Sequence, residues 1–352
     1  MALEPLPAGD ILAFFGLPAE LRAAPLGRGL IHRTFTLARG AMPEYVLQEI
    51  NTRVFADPAL LDANLRAISA AFRVHNPAAA FAHPVASPGG ATQFRHPANG
   101  RYFRLFSFVT YTVSHDTVTD AVIAFEASRQ FGLFARRLSC LPIKAIKQTI
   151  PRFHDLDLRV AQFERSLREG NRDRIAACAA LIEQARANLG IADAYRAAMA
   201  SGALIARLMH HDTKISNVLF DARSGKGVCV VDLDTVMPGT VLSDVGDMLR
   251  TYVCPVDENH RDLNDITIRT EIYAAVEAGY LDGMGDTLTA GERGLFSVAG
   301  QVMIFMQVLR FLTDHLNDDD YYVTAYPDQN RDRAANQLTL LERYSAYLVG
   351  AA

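Results

Sequence analysis

The spacing of apolar positions changes character about a third of the way along the chain. Before that point the apolar runs are short and strand-like. Ile31 to Leu37 and Tyr45 to Ile50, separated by Arg39-Gly40-Ala41-Met42-Pro43, predict a hairpin. Tyr102 to Val109, rich in Phe and Val, predicts a further strand. Between them, Pro58 opens a segment with Leu60, Leu61, Leu65, Ile68 and Phe72 at near-helical spacing. A short helix, Ile11 to Phe15, precedes the strands, Pro25 to Leu30 is a Gly-bearing turn, and Pro84 to Gly90 is loop. From Thr119-Asp120 onward helical periodicity takes over. Ala124, Phe125, Phe131, Phe134 and Leu138 share one face, and Ile175, Cys178, Leu181, Ile182, Ala185 and Leu189 share another. A capped helix is expected near Ser243-Asp244. From about Ala299 an apolar stripe of Phe305, Val308, Leu309, Leu312 and Leu316 leaves Arg310, Asp314 and Asn317 on the opposite face. The pattern predicts an α+β chain: a small β-rich unit over residues 1–110, then a larger, mainly helical unit over residues 111–352. The hinge falls around Thr110 to His115.

One segment interrupts the helices. His210-His211-Asp212-Thr213-Lys214-Ile215-Ser216-Asn217-Val218-Leu219-Phe220 is followed by a Gly-bearing turn and an apolar run ending in Val231-Asp232-Leu233-Asp234. A carboxylate, an ammonium two residues on, an amide five residues on and a second carboxylate after a hairpin are the parts that phosphoryl transfer needs. That reaction asks a protein to position a hydroxyl, hold Mg²⁺ against the nucleotide phosphates and neutralise developing charge. Asp212 is the candidate acceptor of the hydroxyl proton, and Lys214 the candidate cation beside the transferring group. Asn217 and Asp232 are candidate oxygen ligands for Mg²⁺. Asp234 is a second metal carboxylate or a substrate contact, sharing a strand face with Asp232 if the strand continues. His210 reads as a buried residue that props the loop.

Composition narrows the setting. The chain has 352 residues, half of them apolar, enough for two lobes with separate cores. Its net charge of −4 comes from interspersed acids and bases, so no basic stripe invites nucleic acid or an anionic membrane. Met1 to Pro5 lacks the charged start and apolar run of a signal peptide, and no apolar stretch is expected to reach the ~20 residues of a membrane span. Cys140, Cys178, Cys229 and Cys254 are scattered, without a C-x-x-C pair, which argues against a zinc site or a disulfide framework and for a reducing cytoplasm.

Several stretches together resemble the aminoglycoside phosphotransferase / choline kinase superfamily, and within it the bacterial N-acetylhexosamine 1-kinases. They are Gly29 to Phe35, Tyr45 to Asn51, Val54-Phe55, Thr149 to Asp155, His211 to Asp221, Val231 to Gly239 and Arg310 to Asp314. The resemblance implies the two-lobed protein-kinase-like fold, ATP and Mg²⁺ as cofactors, and a small-molecule acceptor. On this branch the acceptor would be the anomeric hydroxyl of an N-acetylhexosamine or related hexose. A choline-type amino alcohol or an aminoglycoside is the alternative acceptor, although the chain has no Trp for cation–π recognition of choline. A nucleotide-binding pseudokinase is the alternative of another class. Its only support is Gln48, which stands where many kinases carry a phosphate-gripping Lys, while the following helix reads Leu60-Leu61-Asp62-Ala63-Asn64 where a partner Glu is usual.

Phosphate gripping is therefore expected from Lys214, the metal, Arg33 and the backbone of Gly27 and Gly29, with an ordinary hairpin turn the other reading of the glycines. Arg310 and Asp314 are either sugar contacts, by the resemblance, or an i,i+4 surface pair. His154 is either a substrate contact or a structural His. Asp244 reads as a helix cap, and Asp247 with Arg250 as a local pair.

Overall fold

Residues 6–27 and 31–351 are described by a computed structural model. The N-terminal part comprises α1 (Ala8–Phe15), β1 (Arg22–Pro25), β2 (Arg33–Arg39), β3 (Met42–Glu49), α2 (Pro58–His75), β4 (Gln93–Arg95) and β5 (Tyr102–Ser107). Its strands form one antiparallel sheet in the order β1-β2-β3-β5-β4. The predicted β2–β3 hairpin is present, with a tighter turn than expected and Gly40 at φ +61°. The edge strands β1 and β4, Arg22-Ala23-Ala24-Pro25 and Gln93-Phe94-Arg95, have no apolar alternation to announce them.

Strand alternation gives this sheet two faces. Phe35, Leu37, Tyr45, Leu47, Phe103 and Leu105 point to one side and form a core with Ile11, Leu12 and Phe15 of α1. Thr34, Gln48 and Arg104 share the other face and meet across strands, in the register Thr34–Gln48–Arg104. That second face looks toward the C-terminal part.

The C-terminal part begins with β6 (Thr112–Val113), which pairs with a C-terminal strand, so the chain passes between the two parts through residues 108–111. It continues with α3 (Ala121–Leu138), α4 (Leu156–Glu169), α5 (Arg172–Ala177), α6 (Ala179–Ala187), α7 (Gly190–Ala200), β7 (Arg207–Met209), β8 (Val218–Asp221), β9 (Gly227–Val230) and β10 (Met237–Gly239). α8 (Val241–Tyr252), α9 (Thr270–Met284), α10 (Ala290–Arg293), α11 (Phe296–Leu316) and α12 (Gln329–Ala351) complete it. The stripe from Ile175 to Leu189 is divided between α5 and α6 by a break at Cys178. α3 and α9 meet at backbone distance: a Cβ added to Gly279 or Gly283 would lie 2.3 Å from the carbonyl oxygen of Phe125 or Arg129.

α11 corrects one expectation. With 21 residues it is long and apolar enough, by length and composition, to cross a membrane, but 72% of its most apolar window is buried inside the fold. It packs on α4, α8 and α12, so its apolarity serves the helical core.

Candidate active site

β7 ends at Met209 and the chain turns through His210 to Asn217. His210 is fully buried. Its Nδ1 accepts from the Asp212 N–H at 3.3 Å, so its Nε2–H donates to the Val231 carbonyl at 3.1 Å. His211 takes φ +64° and bonds the Met209 carbonyl through Nδ1 at 3.0 Å. Burial pushes His211 down to about 4, which leaves it neutral at pH 7. Its Nε2 packs against Gly239, where an added Cβ would lie 2.5 Å away, so the motif ends in Gly to let β10 approach the loop.

Two acids of α8 hold this loop from beneath. Asp244 accepts from the N–H groups of His210 at 3.1 Å and His211 at 2.8 Å, and Asp247 from that of Thr213 at 2.8 Å. The expected capping role of Asp244 is corrected: α8 starts at Val241, and the carboxylate binds the His210–His211 backbone instead of its own helix. Burial pushes this carboxyl up to about 7 even with two donors on it. The local Asp247–Arg250 pair is present at 3.1 Å.

Asp212, Lys214 and Asn217 converge. The Lys214 ammonium lies 2.8 Å from Asp212 Oδ2, and the Asn217 amide donates to the Asp212 main-chain oxygen at 2.9 Å and to Oδ2 at 3.1 Å. Burial alone would raise the Asp212 carboxyl. The Lys214 charge outweighs it and holds Asp212 below the usual range, ionised and able to accept a proton. Burial likewise disfavours the Lys214 charge, but Asp212 and Asp232 overcome it and keep Lys214 an ammonium. Because Asn217 uses its N–H₂ on Asp212, its Oδ1 takes no hydrogen bond from any described residue.

Asp232 does not share a strand face with Asp234, contrary to expectation. β9 stops at Val230, Asp232 is left-handed at φ +60°, and Asp234 lies in the following 3₁₀ turn, Leu233–Thr235. A non-glycine residue in this conformation carries strain that surrounding structure must sustain. The Asp232 carboxylate takes no hydrogen bond or ion pair from any described residue. Burial and the charges of Asp234 and Asp212 push its carboxyl up. The Val231 N–H donates to the Asn217 carbonyl at 2.9 Å, so the two candidate ligands sit on adjoining backbone. This donor set fits Mg²⁺, a hard cation that takes oxygen ligands and is commonly held by one or two protein groups together with substrate phosphates. Among the described residues no group of three His, Cys, Asp or Glu could hold a metal by itself.

The remaining expected site residues fall in different places. Asp234 is buried and fully engaged, by Arg104 Nη1 at 2.7 Å, Arg104 Nη2 at 2.6 Å and His32 Nε2 at 2.6 Å. The Asp234 carboxylate, expected as a metal or substrate contact, thus meets the N-terminal sheet through Arg104 and the residue just before β2 through His32. Gln48 accepts from Arg104 Nε at 3.1 Å and Nη2 at 2.8 Å. Arg33, expected at the phosphates, lies on the α1-covered face of the sheet, 2.9 Å from Glu49 and 5.5 Å from the Phe35 ring. Strand alternation turns it away from the Gln48–Arg104 face. Gly27 is left-handed at φ +66° with open space around it, and Gly29 lies outside the described residues.

His154 bonds Ser243 Oγ through Nδ1, stacks on Phe153 at 4.4 Å and sits 5.5 Å from the His211 ring. Burial and then the nearby His211, Arg310, Arg250 and Arg159 hold it well below the usual imidazole range. Arg310 and Asp314 do not pair. The Arg310 guanidinium lies 5.4, 6.0 and 5.5 Å from the rings of Phe153, Tyr321 and Tyr322 and donates to Gln307. Asp314 accepts from the Tyr321 and Tyr322 N–H groups and from Asn330, and so fixes the turn that carries those rings. Sequence reasoning missed Arg104 and His32. The available signal was a charged residue between Phe103 and Leu105 in the middle of an apolar strand. A concavity of about 620 Å³ on the N-terminal part, lined by Leu6, Leu12, Leu17, Leu21, Pro25 and Phe35 among others, contains none of these residues.

A β-sheet lobe facing a helical lobe, with this loop on the helical side, defines a protein-kinase-like phosphotransferase fold. Residues 22–288 match the sequence model of the phosphotransferase enzyme family that includes the aminoglycoside phosphotransferases, and the chain belongs to that family. Solved structures share the fold. A microcompartment-associated aminopropanol kinase superposes with a TM-score of 0.63 at 14% identity, covering 97% of both chains. An amicoumacin kinase in complex with AMP-PNP and Ca²⁺ gives 0.62 at 13%, over 96% of this chain and 92% of that one. A choline/ethanolamine kinase family protein from Mesorhizobium loti gives 0.58 at 16%, over 97% and 94%.

Proposed function

We propose that this protein transfers the γ-phosphoryl group of ATP to the anomeric hydroxyl of an N-acetylhexosamine or related hexose, with residues 1–110 as the nucleotide-side lobe and residues 111–352 as the catalytic lobe. The observation that carries the kinase reading is the contact set Lys214–Asp212–Asn217 beside an Asp232 carboxylate that no described residue partners. Asp212 accepts the acceptor hydroxyl's proton and orients its oxygen. Lys214 stays charged and lies within reach of the oxygens where charge develops. Asn217 Oδ1 and the Asp232 carboxylate would hold Mg²⁺, which supplies phosphate charge neutralisation and in-line alignment when bound. Four free cysteines, three of them buried, suit a reducing cytoplasm.

The choice of a neutral sugar over an amino alcohol rests on Arg310. A cage of Phe153, Tyr321 and Tyr322 would suit a substrate ammonium, but the chain's own guanidinium already lies over those rings. Arg159 adds a second positive charge nearby, so this side of the cleft repels a cation. The test is ATP turnover with free hexoses, N-acetylhexosamines, choline, aminopropanol and aminoglycosides, with the product read by phosphorus NMR. A sugar 1-phosphate is expected as the main product. Preferential turnover of an ammonium alcohol overturns the sugar reading, and ATP binding without turnover of any acceptor favours the regulatory pseudokinase.

A further inference from the structure

The kinase reading leaves open what replaces the small-lobe Lys and its Glu partner. Arg104 is 2% exposed, on β5, directly across from Gln48 of β3. A guanidinium has five N–H donors. Four of them are in use: Nε and Nη2 on Gln48 Oε1, and Nη1 and Nη2 in a fork on the Asp234 carboxylate. Asp234 takes a third bond from His32. The Asn51 N–H donates to His32 Nδ1 at 3.0 Å, which leaves the ring proton on Nε2 to donate to Asp234. The Asp234 carbonyl is itself bonded by Thr149 Oγ1 at 2.6 Å. A side chain from β5, itself held by one from β3, and a His before β2 thus seize one carboxylate of the helical lobe.

Resting on the kinase reading, we propose that Arg104 is the positioning cation of this site: with Gln48 and His32 it clamps Asp234, and through the two-residue link it fixes the left-handed Asp232 that holds the metal. The ion pair that many kinases build between a strand Lys and a helix Glu is here built between a strand Arg and the acid two residues beyond the metal carboxylate. With one N–H left, Arg104 does not grip phosphates as a fork. Gln48 is then a required acceptor and not the remnant of a lost Lys. A Lys at position 48 would set an ammonium against the guanidinium and compete for Asp234.

The experiment is calorimetric titration of the full chain with ATP, once with Mg²⁺ and once with EDTA. The variants are Gln48→Lys and the double neutral replacement Arg104→Gln/Asp234→Asn, which leaves no buried charge unpaired. In the wild type, Mg²⁺ is expected to tighten ATP binding. In both variants that tightening should fall by about tenfold or more, the usual effect of losing a partner that orients a metal ligand. Metal-free ATP affinity should stay within about twofold, whereas loss of fold would abolish both. A folded variant of either kind that keeps the full Mg²⁺ effect overturns the clamp. A wild type that shows no Mg²⁺ effect overturns the kinase reading beneath it.

Discussion

Asp232→Asn should make the protein more stable and less able to bind its nucleotide. The carboxylate lies in a half-buried position with no hydrogen bond or salt bridge to any described residue, and burial, Asp234 and Asp212 all push its carboxyl upward. A group whose folded-state value is raised above the unfolded one opposes folding once it ionises. Its penalty therefore sets in as the pH rises through about 4, the unfolded carboxylate value. Asn removes the charge, keeps the shape and tolerates the left-handed backbone at φ +60°. The gain expected at pH 7 is about 1 kcal/mol, the scale on which relieving a strained functional position stabilises a protein. Mg²⁺–ATP works the other way. At a hundredfold excess over its Kd it stabilises the wild type by about 2.7 kcal/mol, and a variant without the ligand carboxylate gains little. The order of stability should invert on adding Mg²⁺–ATP, with the variant ahead alone and the wild type ahead with nucleotide. Urea unfolding at pH 5 and pH 7, with and without Mg²⁺–ATP, reads both effects. A variant that is less stable alone would assign Asp232 to the fold. An undiminished nucleotide effect would remove it from the metal site.

Other outcomes follow from the same geometry. Asp212→Asn should keep Mg²⁺–ATP binding within about twofold and lose most of kcat, because an amide cannot accept the hydroxyl proton; near-normal kcat would take Asp212 out of the mechanism. Lys214→Met should lower kcat by about 10²-fold or more. It should also move the acid limb of kcat/KM to higher pH, since the ammonium that holds Asp212 down is gone; an unshifted limb would show that this ion pair does not govern Asp212. A thiol reagent at pH 8 should modify one cysteine quickly, the exposed Cys140. Burial raises the thiols of Cys178 and Cys254 and pushes Cys229 up to about 12, so mass mapping that finds rapid modification at Cys229 would contradict this packing.

The parts of the fold that were legible are those in which neighbouring residues carry the signal. The β2–β3 hairpin, α2 behind Pro58, and the stripes of α3 and α11 are announced by local period and punctuation. β1, β4 and β10 were not, because three or four residues whose pairing is set by a remote strand have no period of their own. The Ile175 to Leu189 stripe has one period but two helices, since a break at Cys178 does not disturb the spacing of apolar residues.

The candidate site divides along the same line. Asp212, Lys214 and Asn217 lie within six residues, so a contiguous motif carries their mutual geometry. What a motif cannot carry is a partner supplied by register. Arg33 and Gln48 both looked like nucleotide-side residues, yet Arg33 is one position beside Thr34, and a single step along a strand sends a side chain to the opposite face. Gln48 read alone looked like a missing charge. In the sheet it stands across from Arg104, and the charge is present one strand over, already committed to Asp234. Asp244 shows the same effect through a helix: its place in the first turn of α8 suggested a cap, while the fold spends its carboxylate on two amides of the loop that carries Asp212. Of the five aspartates around this loop, 212, 234, 244 and 247 are each held by named donors, and only Asp232 has none among the described residues. A carboxylate kept strained and without a donor among the described residues, amid that much hydrogen bonding, is what the proposed Mg²⁺ site asks for, because oxygen donors of this kind suit a hard cation.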